Sequence, residues 1–461
     1  MKFPQPAGPG LAIPEILLPA SRVDLGKWAV IACDQYTQDR SYWEKAAKAV
    51  SGAPSALELV LPEIFLESGG LSGRIRAIHG SMKKYLEKGI FAPPRRGCVY
   101  LERDTPFTKK RPGFLAALDL EQYDYKSEAR SLIRPTEGTL PERLPVRMDI
   151  RRGAPLEIPH ILVLIDDEEN TLLPGLGERA KRSRPAYETP LMLGGGGVSG
   201  WFLDGEADLA FLPGALEKLA QRSLARFGPG SSGETAAPFL YAAGDGNHSL
   251  AAAKEIWEEY KQAHGGTESV MAHPARWALA EIENLYDPAI HFEPIHRVVF
   301  NVEIDELLVL LSELPGFSRR ELSGPAAAGE LSRLVSDPEA SVNRLGLTGG
   351  GRCVLVETSA PGFATVSLQP LLDRFVREKK AADAPSIDYI HGSNELFRLA
   401  GSAEKTGGGP KGKAAGILLP PVKKNALFET VARTGPLPRK SFSMGESDEQ
   451  RFYLECRRLF N

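Results

Sequence analysis

The apolar residues of the chain fall into short continuous runs that are bounded by polar residues, glycine or proline. A short apolar run between such boundaries is typical of a strand that is buried in a sheet. Runs of this kind occupy residues 28–33, 161–165, 238–243 and 277–282. The pattern therefore predicts buried strands that are spread along the chain.

Longer stretches between these runs have the composition of helices. Residues 248–264 are rich in alanine, lysine and glutamate and are followed by Gly265, which predicts a helix. Residues 41–50 predict another helix, with Ser41 as its N-cap and Glu44 at the capping-box position. Because strands and helices are interspersed, we expect a mixed α/β (α+β) fold.

The length of 461 residues exceeds what one small core needs, so we expect more than one packed unit. We predict a main α/β domain over residues 1–300 and a second α/β region over residues 301–461 that packs on the first. Glycine-rich stretches at 228–237 and 407–410 are predicted to be flexible connections.

The composition is that of an ordinary globular protein, with 42% hydrophobic and 25% charged residues. The 56 basic and 59 acidic residues give a net charge of −3, which argues against nucleic acid as a partner because it provides no basic field. Cys33, Cys98, Cys353 and Cys456 lie far apart in sequence. No CxxC pair therefore indicates zinc or an iron–sulfur cluster, and nothing indicates haem.

The first residues contain no apolar segment of the kind found in export signals, and no apolar run reaches the roughly 18 residues of a membrane span. We therefore expect a cytoplasmic protein without membrane contact, and a small molecule as its partner. The sequence leaves the oligomeric state open.

The strongest candidate site is the Gly-Asp-Gly-Asn-His-Ser turn at residues 244–249, which precedes the predicted helix. Gly244 and Gly246 let the backbone turn sharply and approach a ligand closely. The helix start offers unpaired backbone N–H groups and the positive end of the helix dipole, which favour a phosphate or another anion. Ligand contacts could also come from Asp245, Asn247, His248 and Ser249. The alternative is a tight turn in which Asp245 or Asn247 serves only as a helix N-cap.

This turn and its surroundings resemble a known family. The segment GDGNHSLAAAK resembles the DGHHRYEAA-type sequence of DUF1015, a family without an agreed activity. WAVIACDQYT, PHILVLIDD, FEPIHR and PRKSFSM fit the same family at residues 28–37, 159–167, 292–297 and 438–444. Because these stretches span nearly the whole chain, the resemblance is specific.

The same turn is similar to the glycine–histidine–arginine loop of the ParB/sulfiredoxin superfamily, which includes CTP-binding partition proteins, sulfiredoxin and ADP-dependent free-serine kinases. The resemblance implies a ParB/sulfiredoxin-like core with an additional α/β subdomain. It also implies phosphate contacts from Gly246, Asn247 and His248. Ser249 stands where the superfamily usually has arginine, so the guanidinium that would bind phosphate is missing, which argues against a nucleotide.

Candidate catalytic groups are two acids and the imidazole of His248. Asp34 directly follows an apolar run, where it is a candidate general base, a metal carboxylate or a helix cap. Glu137 lies in a segment that also contains Arg134, Arg143 and Arg147. This segment is either an anion clamp beside a carboxylate or a solvated basic face.

Further candidates lie elsewhere in the chain. Asp166 and Asp167 follow a predicted strand, where paired acids can hold Mg²⁺ beside phosphates or simply begin a helix. His296 stands beside other ionisable residues and is a candidate ligand-binding group or proton shuttle. Lys440 is a candidate anion-binding residue.

These features favour a nucleotide-dependent enzyme, most simply a phosphotransferase for a small, polar, amino-acid-like metabolite. In this hypothesis the turn at 244–249 holds phosphates, Asp34 deprotonates the acceptor hydroxyl, and Mg²⁺ neutralises the transferred phosphate. The alternative is a non-catalytic regulatory protein that binds a nucleotide or metabolite, and a structural scaffold is a third class. We expect Asn247 and His248 to line a pocket whose floor is formed by Gly244 and Gly246.

Overall fold

The computed structural model describes residues 4–37, 39–66, 69–227, 238–379, 384–402 and 413–460, so the predicted connections at 228–237 and 407–410 lie outside the described residues. The chain divides into two compact units. Unit 1 comprises Met1–Ile290 and Met444–Asn461, and unit 2 comprises His291–Ser443. Among the described residues, no helix combines the length and the apolar character that a membrane crossing requires.

Unit 1 is built around a large mixed sheet with helices on both faces. Its strands before the chain enters unit 2 are β1 (Gln5–Gly8), β2 (Leu11–Ile13), β3 (Glu15–Ile16), β4 (Val30–Ile31), β5 (Arg95–Arg96), β6 (Cys98–Asp104), β7 (Arg111–Asp119), β8 (Ile133–Pro135), β9 (Leu156–Glu157), β10 (Leu162–Ile165), β11 (Tyr187–Pro190), β12 (Gly197–Leu203), β13 (Tyr241–Asp245) and β14 (Trp277–Asn284). Its helices are α1 (Leu25–Trp28), α2 (Arg40–Val50), α3 (Leu71–Glu87), α4 (Leu144–Arg151), α5 (Leu172–Ala180), α6 (Glu206–Leu209), α7 (Phe211–Phe227), α8 (Asn247–His264) and α9 (Glu268–Met271).

The strands of the large sheet follow the order β11-β12-β6-β7-β14-β10-β13-β8, and β2 joins β7 to β1. The pairs β10–β14 and β13–β8 are parallel, and the remaining pairs of this sheet are antiparallel. Parallel and antiparallel pairs within one sheet, together with the covering helices, confirm the predicted α/β fold.

Both faces of the large sheet are buried. Successive residues of a strand point to opposite sides of the sheet, and in this sheet the residues on each side belong to a hydrophobic core. On β7, Phe114 and Ala116 belong to the core on one face, whereas Leu115 belongs to the core on the other. Trp257 of α8 helps to cover the first face, and Trp43 of α2 contributes to the second core. The continuous apolar runs in the sequence therefore reflect strands that are buried on both sides.

Unit 2 has its own sheet and its own core. Its strands are β15 (Phe292–Phe300), β16 (Ser318–Leu322), β17 (Asn343–Gly349), β18 (Arg352–Thr358), β19 (Ser386–His391) and β20 (Ala414–Leu418), and its helices are α10 (Ile304–Leu311), α11 (Ala327–Val335), α12 (Ala364–Glu378), α13 (Ser393–Ser402) and α14 (Leu427–Thr434). The strands pair in the antiparallel order β16-β18-β17-β20-β15-β19. Leu368 of α12 packs in the core on one face of the sheet, and Leu331 of α11 packs on the other.

The chain leaves unit 2 through β21 (Phe442–Met444) and returns to unit 1 with the short strands β22 (Phe452–Tyr453) and β23 (Arg457–Arg458). β22 pairs with β4, and β23 pairs with β9. The returning segment is deeply buried, and Tyr453 is only 1% exposed. Residues from the end of the chain therefore become part of the interior of unit 1.

Two sequence predictions need correction at their boundaries. The helix predicted over residues 41–50 begins at Arg40, and its N-cap is Asp39 rather than Ser41. Asp39 Oδ1 accepts hydrogen bonds from the Tyr42 N–H at 3.2 Å and from Ser41 Oγ at 2.7 Å, so the carboxylate takes the capping role and the serine supports it. The strand predicted over residues 28–33 is short, because Trp28 ends the helix α1 and only β4 is extended.

Candidate functional site

The turn at residues 244–249 lies at the C-terminal end of β13, in the large sheet of unit 1, and joins this strand to α8. Gly246 adopts φ 74°, a left-handed conformation that favours glycine. A Cβ atom on Gly246 would lie 3.1 Å from the Cα of Ile161, and a Cβ atom on Gly244 would overlap the sulfur of Met444. Protein atoms therefore occupy the space beside both glycines, and close packing of the turn explains both of them.

The N-terminus of α8 has no side-chain cap among the described residues. Gly246 is the N-cap, and Asp245 Oδ1 accepts a hydrogen bond from the Gly246 N–H at 2.8 Å. Neither Asp245 nor Asn247 therefore takes the capping role, and the first turn of the helix contains no acidic residue. The first N–H groups and the positive end of the helix dipole make this an arrangement that attracts an anion.

His160 reaches this turn through the register of the sheet. Because β10 runs antiparallel to β13 and Leu162 pairs with Asp245, the residues before β10 lie beside the start of α8. The Nε2 atom of His160 is 3.2 Å from Ser249 Oγ and 3.5 Å from Asp34 Oδ2. The structure thus brings Asp34, which follows β4, to the same imidazole as the serine of the turn.

The end of the chain completes this arrangement. Tyr453 pairs with Val30, which places its hydroxyl at the end of β4. The hydroxyl accepts the N–H of Cys33 at 3.1 Å and lies 3.0 Å from Nδ1 of His160. The Asp34 carboxylate beside Nε2 is an acceptor, which matches a proton on Nε2, and Nδ1 then accepts from the Tyr453 hydroxyl. His160 then carries its proton on Nε2 and donates toward Ser249 and Asp34.

The imidazole of His160, the thiol of Cys33 and the hydroxyl of Tyr453 are held in their neutral forms. Burial lowers the pKa of His160, and the nearby Asp34 carboxylate only partly opposes this effect. Burial also raises the pKa of the Cys33 thiol to about 12 and raises the pKa of Tyr453 well above its usual value. At neutral pH His160 is therefore a hydrogen-bond donor at Nε2, and it is not placed to take a proton from Ser249.

A buried network of ion pairs supports the loop that carries His160. Arg451 donates from Nε to the carbonyl of Pro159 at 3.0 Å and forms ion pairs with Glu281 and Glu455. Each of these three charged side chains is at most 2% exposed. Because charges this deeply buried are stable only when paired, the network fixes the position of the carbonyl that precedes His160.

A cavity of about 130 Å³ adjoins this group of residues within unit 1. Its polar walls include Cys33, Arg147, His160, Ser249 and Tyr453. Ser249 and Ala252 present the same face of α8 to the cavity, since they lie one helical turn apart. The walls of this cavity do not include Asn247, His248, Gly244 or Gly246, so this cavity is not the pocket predicted from the sequence.

The segment after β8 runs beside the turn, because β8 is parallel to β13 and Pro135 pairs with Ala243. Thr136 donates from its N–H and its hydroxyl to the carbonyl of Ala243, at 3.1 and 2.8 Å. Glu137 follows directly along this segment. The N–H of Leu140 donates to Nε2 of His248 at 3.2 Å, so His248 anchors the segment as an acceptor.

The three predicted arginines have different surroundings. Arg134 donates from Nε to the carbonyl of Ser131 at 2.8 Å and stacks over Phe239, and burial lowers its pKa to about 10. Arg147 lies at the cavity and forms an ion pair with Glu63. Arg143 is exposed. Of the three, Arg147 is the one that reaches the cavity beside His160.

Asp166 and Asp167 follow the C-terminal end of β10, whereas His160 precedes its N-terminal end, which lies beside the turn. The two acids are therefore separated from the turn by the length of this strand. Both oxygens of Asp167 have partners, and Oδ2 accepts the N–H groups of Thr171 and Leu172 at 2.6 and 2.8 Å. Asp166 accepts hydrogen bonds from Tyr286 at 2.8 Å and from Arg226 at 3.3 Å. These contacts match the alternative in which the two acids stabilise the end of a strand and the start of a helix.

His296 and Lys440 belong to unit 2. His296 is 4% exposed, and its Nδ1 accepts the N–H of Leu419 at 3.1 Å. Burial lowers the pKa of His296 to about 4, so the imidazole is neutral and serves as an acceptor inside the unit. Lys440 is exposed and has a left-handed backbone with φ 59°.

The sequence did not single out Tyr453 or Cys33 as parts of a site. A signal for His160 existed, since it precedes a predicted strand, but a structural histidine is the more common reason for that position. Tyr453 carries no signal, because its pairing with β4 joins residues from the two ends of the chain. Such a contact depends on the fold as a whole.

Comparisons with known proteins place the chain among sequences without an assigned activity. A family model described as "Protein of unknown function (DUF1015)" matches residues 15–374. Three similar solved structures are a free serine kinase in complex with AMP, a conserved hypothetical protein from Pyrococcus furiosus, and SbnI with a C-terminal truncation from Staphylococcus aureus. No curated protein matches the chain.

The three structures differ widely from this chain in sequence. The kinase is 13% identical, with 77% of this chain and 95% of that chain covered and a TM-score of 0.36. The Pyrococcus protein is 12% identical, with coverages of 74% and 90% and a TM-score of 0.33. SbnI is 10% identical, with coverages of 74% and 82% and a TM-score of 0.31.

Proposed function

The chain belongs to the DUF1015 family of proteins of unknown function, and from that premise we propose that it is a nucleotide-dependent phosphotransferase for a small polar metabolite. The acceptor would be an amino-acid-like molecule with a hydroxyl group. One observation carries this proposal: His160 Nε2 lies within 3.5 Å of both the Asp34 carboxylate and the hydroxyl of Ser249 in the first turn of α8. The imidazole of His160 therefore contacts both the Asp34 carboxylate and the first turn of α8, whose N-terminus attracts anions.

The uncapped N-terminus of α8 is the proposed phosphate site. Phosphate oxygens would accept hydrogen bonds from the first backbone N–H groups of the helix, and Ser249 would add a hydroxyl. In this proposal the likeness of the turn to the ParB/sulfiredoxin loop extends to function, with Gly246, Asn247 and His248 next to phosphate. This arrangement needs no P-loop sequence, which the chain lacks around its four consecutive glycines at 194–197.

Asp34 is the proposed general base, and the acceptor would bind beside it at the mouth of the cavity lined by Arg147 and Ser249. Asp34 itself is not among the walls of this cavity, but the adjacent Cys33 and its contact His160 are. The acceptor oxygen attacks the terminal phosphorus while its proton passes to the Asp34 carboxylate, and the bond from that phosphorus to the nucleotide breaks. His160 would act as a positioning residue, because its Nε2–H orients Asp34. The side chain of Asp34 is 19% exposed, so a substrate can reach it.

A magnesium ion fits this site only as a partner of the nucleotide phosphates. Among the described residues, no group of three or more histidine, cysteine or acidic side chains could hold a metal ion alone. Mg²⁺ commonly binds through one or two carboxylates together with phosphate oxygens. Asp245 lies in the turn itself, but its Oδ1 accepts the Gly246 N–H and its Oδ2 is buried, so its side chain would have to turn outward to hold such an ion. An ion held there would offset the repulsion between Asp245 and phosphate. It would also neutralise charge on the transferred group.

A second candidate function is a regulatory protein that binds a nucleotide or metabolite without reacting it. The partners of the nearby arginines favour this candidate, since Arg134 stacks on Phe239 and Arg147 pairs with Glu63. Phosphoryl transfer usually draws on cationic groups that contact the transferred phosphate. The two candidates share one binding site and differ in whether Asp34 reaches an acceptor hydroxyl.

Phosphoryl transfer can be tested directly with the Asp34→Asn variant. The full chain is incubated with ATP or ADP, Mg²⁺ and a panel of hydroxyl-bearing amino acids and polyols, and new phosphate esters are measured by ³¹P NMR. We expect ester formation by the wild type and a loss of roughly 10²–10⁴-fold in Asp34→Asn, because a general base is removed. Nucleotide affinity should change little.

Asp39→Asn is the matched control, because Asp39 is exposed and asparagine caps a helix about as well as aspartate. This variant should keep the wild-type rate. Nucleotide binding without any ester in the wild type would favour the regulatory candidate. Equal rates in Asp34→Asn and wild type would remove Asp34 from the reaction.

A further inference from the structure

The cavity of about 130 Å³ in unit 1 has mostly apolar walls. Leu59, Met82, Leu156 and Leu459 are among them, and each is at most 3% exposed. Met82 belongs to α3 and Leu156 belongs to β9, so these walls are parts of regular elements that are packed in the core. The cavity therefore reaches into the interior of unit 1 and is more than a groove between surface loops.

The charged residues in the walls of this cavity compensate one another. Arg147 forms an ion pair with Glu63, and Arg151 forms an ion pair with Glu157 at 2.5 Å. All four residues line the cavity, so each charge in the described walls has its counter-ion in the same walls. A charged group that entered the cavity would lose its hydration without gaining a free counter-ion, which is costly. The walls therefore favour an uncharged occupant.

The uncharged polar residues of the walls are gathered at one end of the cavity. The Tyr453 hydroxyl contacts the Cys33 N–H at 3.1 Å and His160 Nδ1 at 3.0 Å. On its other side, His160 Nε2 lies 3.2 Å from Ser249 Oγ and 3.5 Å from the Asp34 carboxylate. Because these polar groups contact one another, they form one polar end beside Asp34, and the buried aliphatic side chains form the rest of the cavity.

The volume of the cavity limits the size of its occupant. Protein interiors are close-packed and contain few voids larger than a water molecule, so a gap of about 130 Å³ is unusual for a core that serves stability alone. Apolar cavities of about 150 Å³ bind benzene. This cavity therefore has room for a branched aliphatic group or for a group approaching the size of a phenyl ring. Such a group would restore the contacts that the lining atoms lack.

We propose that the acceptor carries an uncharged apolar group, which fills this cavity while the acceptor hydroxyl stays beside Asp34 at the polar end. The role of the hydroxyl rests on the proposed phosphoryl transfer, whereas filling of the cavity is a binding event that needs no reaction. The preferred acceptor is then a hydroxy amino acid with an aliphatic or aromatic side group. Serine leaves the cavity empty, and an acidic side group meets walls without a free counter-ion.

Three amino acids that share a 2-amino-3-hydroxy acid frame test this proposal. Serine, β-phenylserine and β-hydroxyaspartate are titrated separately into the full chain by calorimetry, without nucleotide, so that no reaction occurs. We expect β-phenylserine to bind at least about tenfold more tightly than serine, because its phenyl group leaves water, and β-hydroxyaspartate to bind no more tightly than serine. Binding of β-phenylserine that is no tighter than that of serine overturns the proposal.

The same three amino acids are then incubated with ATP or ADP and Mg²⁺, and phosphate esters are measured by ³¹P NMR. Tight binding of β-phenylserine without any ester contradicts phosphoryl transfer and supports the apolar part of the site. Ester formation from serine, together with equal binding of serine and β-phenylserine, supports phosphoryl transfer and overturns the apolar part. The two ideas therefore fail in different ways.

Variants that fill the cavity locate the apolar group. Ala252 lines the cavity from α8, so Ala252→Leu should weaken binding of β-phenylserine roughly tenfold and change that of serine little. Ala263→Leu makes the same change at an exposed position of α8 and should keep the wild-type affinities. Ala154→Val fills the cavity in part and replaces Ala252→Leu if thermal unfolding shows that the larger side chain prevents folding. Unchanged affinity for β-phenylserine in the folded cavity variants overturns the proposal.

Discussion

His160 Nε2 lies 3.2 Å from Ser249 Oγ, and these two residues are 89 positions apart in the chain. The contact arises because β10 and β13 are antiparallel neighbours, so the residue before one strand meets the first turn of the helix after the other. The Tyr453 hydroxyl contacts Nδ1 on the other side of the imidazole at 3.0 Å. The consequence is a neutral, oriented donor between Ser249 and the Asp34 carboxylate.

Replacing Tyr453 tests this hydrogen-bond chain. Tyr453→Phe removes the acceptor of the Cys33 N–H and the donor to His160 Nδ1, which leaves two buried groups without partners. We expect the free energy of unfolding to fall by about 1–3 kcal/mol in urea denaturation. Tyr123→Phe is the matched control, because Tyr123 is 1% exposed and its hydroxyl has no hydrogen-bond partner among the described residues. An equal loss in both variants would contradict the chain described for Tyr453.

The buried ion pairs should be far more sensitive to substitution than an exposed pair. Glu283 binds Arg111 through both of its oxygens, at 2.8 and 2.6 Å, and it binds Arg103 at 2.6 Å. Glu283→Gln leaves two buried guanidinium groups under-compensated and should lower the free energy of unfolding by about 3–5 kcal/mol. Asp204→Asn, which breaks an exposed pair with Arg95, should cost about 1 kcal/mol or less. Chemical denaturation of both variants measures the difference. A small loss in Glu283→Gln would show that the ion pairs of Glu283 with Arg103 and Arg111 contribute little to the free energy of unfolding.

Because burial lowers the pKa of His296, we expect the protein to lose stability in mild acid. Its folded-state pKa of about 4 lies below the value of 6.5 for a free histidine, so the unfolded chain binds the proton first. Stability should therefore decrease as the pH falls from about 6.5 toward about 4, by up to about 3 kcal/mol from this residue. In His296→Asn, the amide oxygen can replace Nδ1 as acceptor for Leu419 without titrating. The stability of this variant should depend less on pH over that range, and identical pH profiles would rule out His296 as the cause.

Two helix-capping glycines provide a comparison for the turn. Gly70 and Gly246 are both left-handed N-caps, with φ 81° and 74°, but only Gly246 has protein atoms near the position of a Cβ. Gly70→Ala should cost about 1–2 kcal/mol from backbone strain alone. Gly246→Ala should cost more, because its Cβ would also press on Ile161. Thermal unfolding of both variants compares the two, and equal losses would mean that the packing around Gly246 can relax.

Much of the fold was predictable from local pattern, because buried strands and long helices have distinct sequence periods. The apolar run at 161–165 became β10, and the helix predicted over 248–264 is α8. The N-cap of α2 was misplaced because Asp39 and Ser41 are both good capping residues and only the structure shows which one accepts the backbone N–H.

The candidate site was predictable in part. The turn and Asp34 stood out from their sequence neighbours, and the register of β10 and β13 links them through His160. Arg134 could not be assigned from sequence, because its contact with Phe239 depends on the segment that leads into the neighbouring strand β13. Tyr453 was missed because short strands such as β22 leave almost no pattern, and their pairing is set by tertiary structure.

The most direct test of the account is calorimetric titration of ATP and ADP into the folded wild-type chain, Gly70→Ala and Gly246→Ala. Wild type and Gly70→Ala should bind a nucleotide with the same affinity. Gly246→Ala should bind at least about tenfold more weakly, because the added Cβ displaces the backbone at the proposed phosphate site. Absence of nucleotide binding in the wild type, or equal affinity in all three proteins, would contradict the claim that the turn at 244–249 binds nucleotide phosphates.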